Sequence, residues 1–389
     1  MSDPVSVLIP DGEYIFALSV LRCLGNARHR VSVCSTDKWA PARFSRFTDR
    51  FFHLDPRLSD AAFLDALLDV IKQSKADVLL PVGQSMLRFM LPHEETLRGA
   101  IAIVPIPSPP VFEAAKDKWV LAQFCQEHGL SHPQTIHFDE DPRFRERLAS
   151  LRFPVLIKPA RASYGRDIKY FKTAVELLHA VSASPPKRES IVQSFVPGYD
   201  IDFNVLGVNG VVSAYTIQRG IVEGHGRFKP PVGIDFVENE AIRAEAQHAL
   251  TALRWSGVAH IDMRYDPVEG RAWIIEINPR FWASLLGSLV AGVNFPHLAC
   301  IAATGAPMPP QRFRGARFVA GRSALYAIGA RLLGDSQVGA RFAETNLAFI
   351  AADPLPEILM GLTRPFVGSR RDRPKRRRNM AAQERRETF

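Results

Sequence analysis

The chain has 389 residues, 47% apolar and 23% charged, with a net charge of +9. At roughly 150 residues per domain, that length holds two or three packed units. Ten Lys/Arg against three Asp/Glu fall between Arg364 and Phe389, which puts +7 at the end of the chain and +2 on the other 363 residues; this excludes a nucleic-acid-binding body and assigns the basicity to a tail.

Met1-Ser-Asp-Pro-Val lacks the basic start and apolar run of a secretory leader. Cys23, Cys34, Cys125 and Cys300 have no metal-type spacing. A reducing, cytoplasmic setting is expected. Val5 to Pro10 reads as a strand, Asp11-Gly12-Glu13 as a turn, Tyr14 to Leu24 as a helix and Val31 to Cys34 as a second strand. No G-x-G-x-x-G follows the first strand, which excludes dinucleotide binding there. Ala61 to Lys72 is amphipathic and Val78 to Pro81 is a buried strand. Val104-Pro-Ile-Pro-Ser-Pro-Pro110 then marks a domain boundary.

A helix is expected over Val111 to His128, carrying Lys116 and Lys118. Phe153-Pro-Val-Leu-Ile-Lys158-Pro is an apolar strand ending on a lysine, and Ala162-Ser163-Tyr164-Gly165-Arg166 is a turn of small residues. Ile168 to Phe171 is a strand, Ala174 to Val181 a helix, and Ser190 to Gly198 a strand running into a turn. Val205 to Thr216 is a hairpin through Asn209-Gly210. Gly220 to Gly226 is a glycine-rich loop, and Asn239 to Leu253 a helix.

Gly257 to Arg280 is the most informative stretch. Val258 to Tyr265 and Arg271 to Ile277 read as two strands around the turn Asp266-Pro-Val-Glu-Gly270. Asp262 and Glu276 are equidistant from Glu269, so the hairpin sets them side by side. Asn278 shares the face of Glu276 two residues on. Two carboxylates and an amide, with no His or Cys among them, suit Mg²⁺. Ala283 to Gly305 is apolar but interrupted by Asn294, Pro296 and His297, which predicts packed helices rather than a membrane span. Gly368 to Phe389 is poor in apolar residues and is expected to be disordered.

Asp262…Glu276-Ile-Asn278-Pro-Arg280, the Lys158 strand and Val192-Gln193-Ser-Phe195-Val196-Pro-Gly198-Tyr-Asp200, in this order, resemble the ATP-grasp superfamily, in particular its carboxylate–amine (amino-acid) ligases. The resemblance covers about Pro4 to Gly305. It implies an α/β (α+β ATP-grasp) fold: a Rossmann-like pre-ATP-grasp domain over 1–109, a two-lobed ATP-grasp domain over 110–310 with lobes 110–194 and 195–310, an extension over 311–364 and the tail 365–389.

The resemblance also implies roles. Lys118 and Lys158 would face the triphosphate of ATP, with Lys116 as a competitor of Lys118. Ser163 and Gly165 would lie in the phosphate-covering loop. The carbonyls of Gln193 and Ser194 and the N–H of Val196 would read adenine, with Phe195 free to vary in type. Asp200, or Asp202 two residues on, would accept from the ribose. Asp262, Glu276 and Asn278 would hold two Mg²⁺ ions, with Mn²⁺ as a substitute. Arg280 would meet the γ-phosphate or an acyl phosphate, its planar donors suiting that task. Arg219, His225 and Arg227 are candidates for the substrate carboxylate or the amine proton, against a solvated loop.

The implied activity is ATP-dependent joining of a small-molecule carboxylate to an amine, one of them an amino acid, by a protein that is commonly a homodimer. An ATP-grasp kinase or carboxylase is one alternative. The other is a non-catalytic nucleotide-binding scaffold acting through the basic tail, which would touch nucleic acid or an anionic surface; for the tail a solvated segment is the simpler reading.

Overall fold

The computed structural model describes residues 4–139, 141, 143–161, 167–222, 231–335 and 337–360. The turn at 162–166, the loop at 223–230 and the tail therefore lie outside the described residues, and with them Ser163, Gly165, His225 and Arg227.

The first sheet is parallel. It contains β1 (Ser6–Ile9), β2 (Arg30–Ser35), β3 (Thr48–His53), β4 (Val78–Leu79) and β5 (Ala102–Ile103), in the order β3-β2-β1-β4-β5. Val7, Leu8, Ile9, Val31 and Val33 are fully buried, as the continuous apolar runs of a sheet covered on both faces require. The loops after β1 and β4 meet at its carboxyl end. There the Asp11 carboxylate accepts from the N–H groups of Val82 (3.0 Å) and Gly83 (2.7 Å).

The second sheet is antiparallel: β6 (Thr135–Phe138), β7 (Val155–Pro159), β8 (Lys169–Phe171) and β9 (Ser190–Ser194), in the order β6-β9-β7-β8. Helices Phe144–Ala149 and Ala174–Ala183 share its core through Leu148 and Leu177.

The third sheet carries β10 (Tyr199–Val208), β11 (Val211–Val222), β12 (Gly233–Phe236), β13 (Gly257–Asp266), β14 (Arg271–Asn278) and β15 (Arg317–Val319), in the order β14-β13-β10-β11-β12-β15. Asn209 and Gly210 join β10 to β11 with φ of +50° and +84°, the left-handed pair that a two-residue hairpin turn demands. Helix Glu240–Ala252, capped by Asn239 accepting from Ile242 N–H, buries Leu250 and Ala246 with Phe203, Ile217 and Ile261 of this sheet.

The helix expected over 111–128 is two helices, Pro109–Lys116 and Lys118–Glu127. Asp117 between them is extended, and its carboxylate accepts from the N–H groups of Trp119 (2.9 Å) and Val120 (3.2 Å). An aspartate in a helical run is a better N-cap than interior residue, and here the cap wins. The break puts Lys118 at the first turn of the second helix, where its own N–H reaches Ala160 O at 3.1 Å.

The apolar stretch after the hairpin forms helices Leu285–Val290 and Phe295–Ala303, with Asn294 capping the second. Phe281, Trp282 and Phe295 join the core of the first sheet. No described helix is long and apolar enough to cross a membrane. Gly257 opens β13 at φ +103°. A Cβ there would lie 2.7 Å from Pro105 O, so only glycine lets the chain after β5 come this close to β13.

Candidate functional site

The β13–β14 hairpin pairs Asp262 with Glu276, Ile261 with Ile277 and His260 with Asn278. Equal distance from Glu269 is not how this arises. Nearer the turn the partners are Met263 with Ile274 and Asp266 with Arg271, one residue out of step. Ile275 is a bulge that restores the opposition. Asp266 fixes the turn by accepting from Val268 N–H at 2.9 Å.

Two polar rows run across the face of the third sheet. In one, Glu276, Asp262, Asp202 and Gln218 are successive cross-strand partners; in the other, Asn278, His260, Asn204 and Thr216 are. Hydrogen bonds knit the rows together. Asp262 Oδ2 accepts from Asn278 Nδ2 at 3.0 Å, and Asn278 Oδ1 from Arg280 Nη2 at 3.2 Å. His260 Nε2 lies 2.9 Å from Asp262 Oδ1. Gln218 Nε2 donates to Asp202 Oδ2 at 2.9 Å, and Ser284 Oγ to Gln218 Oε1 at 2.7 Å.

Lys118, Lys116, Lys158 and Arg280 stand around this face. Lys118 Nζ is 3.2 Å from Glu276 Oε2. Arg280 is buried, its guanidinium 5.4 Å from the Phe16 ring centre and donating to Phe281 O at 2.9 Å. Lys158, at the end of β7, is 4% exposed and makes no ion pair among the described residues. Burial first, and Lys118 beside it second, push the Lys158 ammonium down to about 7, while Glu276 and Asp262 pull the other way. Half-buried Lys116 is pushed down to about 8 by burial, with Glu276 opposing and Lys118 and Arg280 adding to the push. Both lysines sit within the influence of Glu276.

The carboxylates are tuned in opposite directions. Burial raises Asp202 to about 7; His260 opposes the rise and Asp262 adds to it. Asp262 is only half-buried; its desolvation pushes the other way, but His260, Arg280 and Lys118 outweigh it and hold its carboxyl below the usual range. Burial disfavours a charged His260, yet Asp262 and Asp202 beside it raise its pKa above that of a free imidazole. The ligating atoms of Asp202, His260 and Asp262 lie within 4.8 Å of one another. Both nitrogens of His260 are already engaged, with Asp262 and with Asn204 Oδ1 at 2.6 Å, so it orients Asp262 rather than ligating.

The oxygen set of Asp262, Glu276 and Asn278 fits a hard divalent cation. The buried Lys158, which has no ion pair among the described residues, fits the anion such a cation would bring. The end of β9 and the segment after it offer two further groups unmet among the described residues: the buried Ser194 Oγ has no hydrogen-bond partner there, and nothing accepts from the N–H of Val196. Gln193 is buried, its Nε2 donating to Thr135 Oγ1 at 2.9 Å. The Phe195 ring lies 4.7 Å below the Arg264 guanidinium.

Arg264 escaped the sequence reading. It donates to Val196 O (2.7 Å), Gly198 O (2.6 Å) and Asp200 Oδ1 (2.6 Å), clamping the whole segment. Asp200 is thereby tied to Arg264 at the surface, while Asp202 lies in the buried network. Arg219 stacks 4.0 Å over the Tyr199 ring and takes no part in the cluster of carboxylates. His260 also escaped, although its place two residues before Asp262 puts both on one strand face.

Comparison with known proteins agrees with this layout. Residues 115–284 match a family described as an ATP-grasp domain. A D-aspartate ligase of Enterococcus faecium (strain Aus0004) is 25% identical over 288 residues, covering 67% of this chain and 67% of the relative. The fold resembles that of an L-amino acid ligase from Bacillus licheniformis, with a TM-score of 0.58 and 18% identity over 78% of this chain and 74% of that one. It also resembles N5-carboxyaminoimidazole synthetase from Staphylococcus aureus complexed with ADP, with a TM-score of 0.64 and 13% identity over 86% and 87%.

Proposed function

We propose that this chain, whose residues 115–284 are an ATP-grasp domain, is an ATP-dependent ligase that joins a carboxylate to an amine, with an amino acid as one partner. The observation that carries the reading is Lys158: a buried lysine that makes no ion pair among the described residues, beside the oxygen groups of Asp262, Glu276 and Asn278. A nucleotide triphosphate with its magnesium supplies the missing charges on both sides. The names of the D-aspartate ligase and the L-amino acid ligase support the amino-acid partner.

The chemistry follows from the poor reactivity of a carboxylate toward an amine, since oxide is a very poor leaving group. Transfer of the γ-phosphoryl group to the carboxylate creates a good leaving group; the amine then attacks, and phosphate departs with ADP already formed. Asp262, Glu276 and Asn278 would hold Mg²⁺, which neutralises phosphate charge when bound. Lys118 and Lys158 offset charge on the phosphate oxygens. Arg280, fixed by Asn278 and Phe281 O, stabilises the oxygen that becomes negative when the amine attacks. A second ion would also be held by Glu276, which stands opposite Asp262 on the neighbouring strand.

The test is ADP release by the purified protein with ATP, Mg²⁺ and a panel of amino acids offered singly and in pairs. Turnover that needs an amino acid and is lost in Glu276→Ala supports the reading. Full turnover in Glu276→Ala overturns the metal assignment.

A further inference from the structure

Beyond its two polar rows, the face of the third sheet turns apolar. Val258, Leu206 and Ala214 are successive cross-strand partners in the next row, on the same face as His260 and Asn204. Leu206 and Ala214 are buried in the core of the first sheet, so this row lies where that sheet's unit meets the third sheet. Val258 is half-buried and lines a cleft of about 360 Å³, its open mouth included. Arg280 and Phe281 line the cleft from the end of the hairpin. Val82 and Ile106, from the loops after β4 and β5, line it too, with Leu87 of helix Gln84–Met90.

Arg280 is the sole polar side chain lining the cleft among the described residues. Its guanidinium already donates to Asn278 Oδ1 and Phe281 O. The backbone adds little: Asp11 takes the N–H groups of Val82 and Gly83, and Pro81, Pro105 and Pro279 have none. A carboxylate placed past Arg280 would lose its water and gain no cation, whereas methyl and methylene groups gain by leaving water.

The rows also set the order of groups along the face. Two residues along a strand span about 6.7 Å, so Val258 lies about 13 Å from the row of Asp262 and Glu276. With phosphate at that row and the reacting carboxyl at Arg280, the rest of the carboxylate substrate is directed toward the cleft. Val82, Leu87 and Ile106 are all buried, so the space suits a short side chain better than a long or aromatic one.

We propose that this cleft receives the side chain of the amino acid whose carboxyl group is activated, and that it selects a short aliphatic one, as in alanine or valine, against an acidic one. The inference rests on the ligase reading and adds to it the class of the activated partner.

The test measures kcat/KM for ADP release with ATP, Mg²⁺ and hydroxylamine as the amine, while glycine, alanine, valine, leucine, phenylalanine, aspartate and glutamate, in both enantiomers, supply the carboxyl group in turn. Alanine or valine should exceed aspartate and glutamate by about a hundredfold or more, and phenylalanine by about tenfold. Ile106→Ala and Val82→Ala open the cleft and should raise the leucine-to-alanine ratio by about tenfold. The melting shift produced by ATP and Mg²⁺ shows that each variant is folded and binds nucleotide, and the wild-type panel decides on its own if a variant fails to fold. A preference for an acidic amino acid overturns the proposal and leaves the ligase reading standing. So does an unchanged leucine-to-alanine ratio in both variants with the ATP shift retained. ADP release that no amino acid stimulates overturns the ligase reading and this assignment with it.

Discussion

The imidazole of His260 stands between Asn204 and Asp262, its Nδ1 2.6 Å from Asn204 Oδ1 and its Nε2 2.9 Å from Asp262 Oδ1. Two oxygens facing the two nitrogens are best met by a ring protonated at both, and the neighbouring carboxylates raise the pKa in that direction against the cost of burial. Through His260 the orientation of Asp262 is set from the strand two positions away from β14. His260→Ala should therefore weaken the apparent Mg²⁺ affinity of turnover by about tenfold to a hundredfold, the usual cost of losing an orienting partner. A Mg²⁺ titration of ADP release checks this, with His260→Gln, which keeps one donor, falling in between. An unchanged Mg²⁺ dependence contradicts the positioning role.

Lys158 gives a second prediction, which thermal melting can read. A buried charge without a partner destabilises the ligand-free protein. Lys158→Met keeps the length and removes the charge, so the melting temperature without ligand should rise or hold. The stabilisation from ATP and Mg²⁺, about 2.7 kcal/mol at a hundredfold excess over Kd for the wild type, should disappear. An ATP-induced shift equal to the wild type's would remove Lys158 from the site.

A third prediction concerns pH. His29 Nε2 lies 2.8 Å from His297 Nδ1, and His29 Nδ1 lies 3.1 Å from Val5 N and 3.3 Å from Val5 O. Burial lowers the pKa of both, and for His29 the neighbouring His297 lowers it further. The unfolded chain binds these protons first, near the ordinary value of about 6.5. The stability they contribute is present above that pH and is lost as pH falls below it toward the depressed folded values. Denaturant midpoints measured downward from pH 7.5 should decline more steeply for the wild type than for His29→Phe. His132, pushed down to about 3 by burial and by Lys158, adds the same sign and should remain in the variant. Parallel profiles would contradict the account.

Asp353 supplies a fourth. It is buried and accepts from Arg22 Nε (3.3 Å), Ser45 Oγ (2.7 Å) and Arg46 N–H (2.9 Å), tying the end of helix Asn346–Ala352 to the first sheet's unit. Asp353→Ala strands the buried Arg22, which keeps only Glu357 at 2.8 Å as an acidic partner. Stability should fall by about 3 kcal/mol, the low end for breaking a buried pair because that second partner remains. Urea unfolding measures it, and a change within about 0.5 kcal/mol, the range of ordinary surface substitutions, would contradict the anchor.

The hairpin that opposes Asp262 to Glu276 and the strand that ends on Lys158 were legible in the sequence, because alternation and turn residues are local signals. The same holds for Asn209-Gly210. The break at Asp117 was legible in principle, but the apolar pattern runs through it and hides the cap. The rows joining Glu276 to Gln218 and Asn278 to Thr216 were not. They depend on the register between β10 and β13, more than fifty residues apart, and on bulges at Ile275 and after Leu206 that no local pattern announces. Arg264 was invisible for the same reason: its three acceptors come from a segment over sixty residues earlier.

Hydroxylamine trapping tests the central claim most directly. The protein is given ATP, Mg²⁺ and an amino acid that supports ADP release, with hydroxylamine in place of the amine. An activated carboxylate would be captured as the amino acid hydroxamate, in step with ADP and absent in Glu276→Ala. ADP formed without any hydroxamate would mean that the phosphoryl group goes to another acceptor, and that this is not a carboxylate–amine ligase.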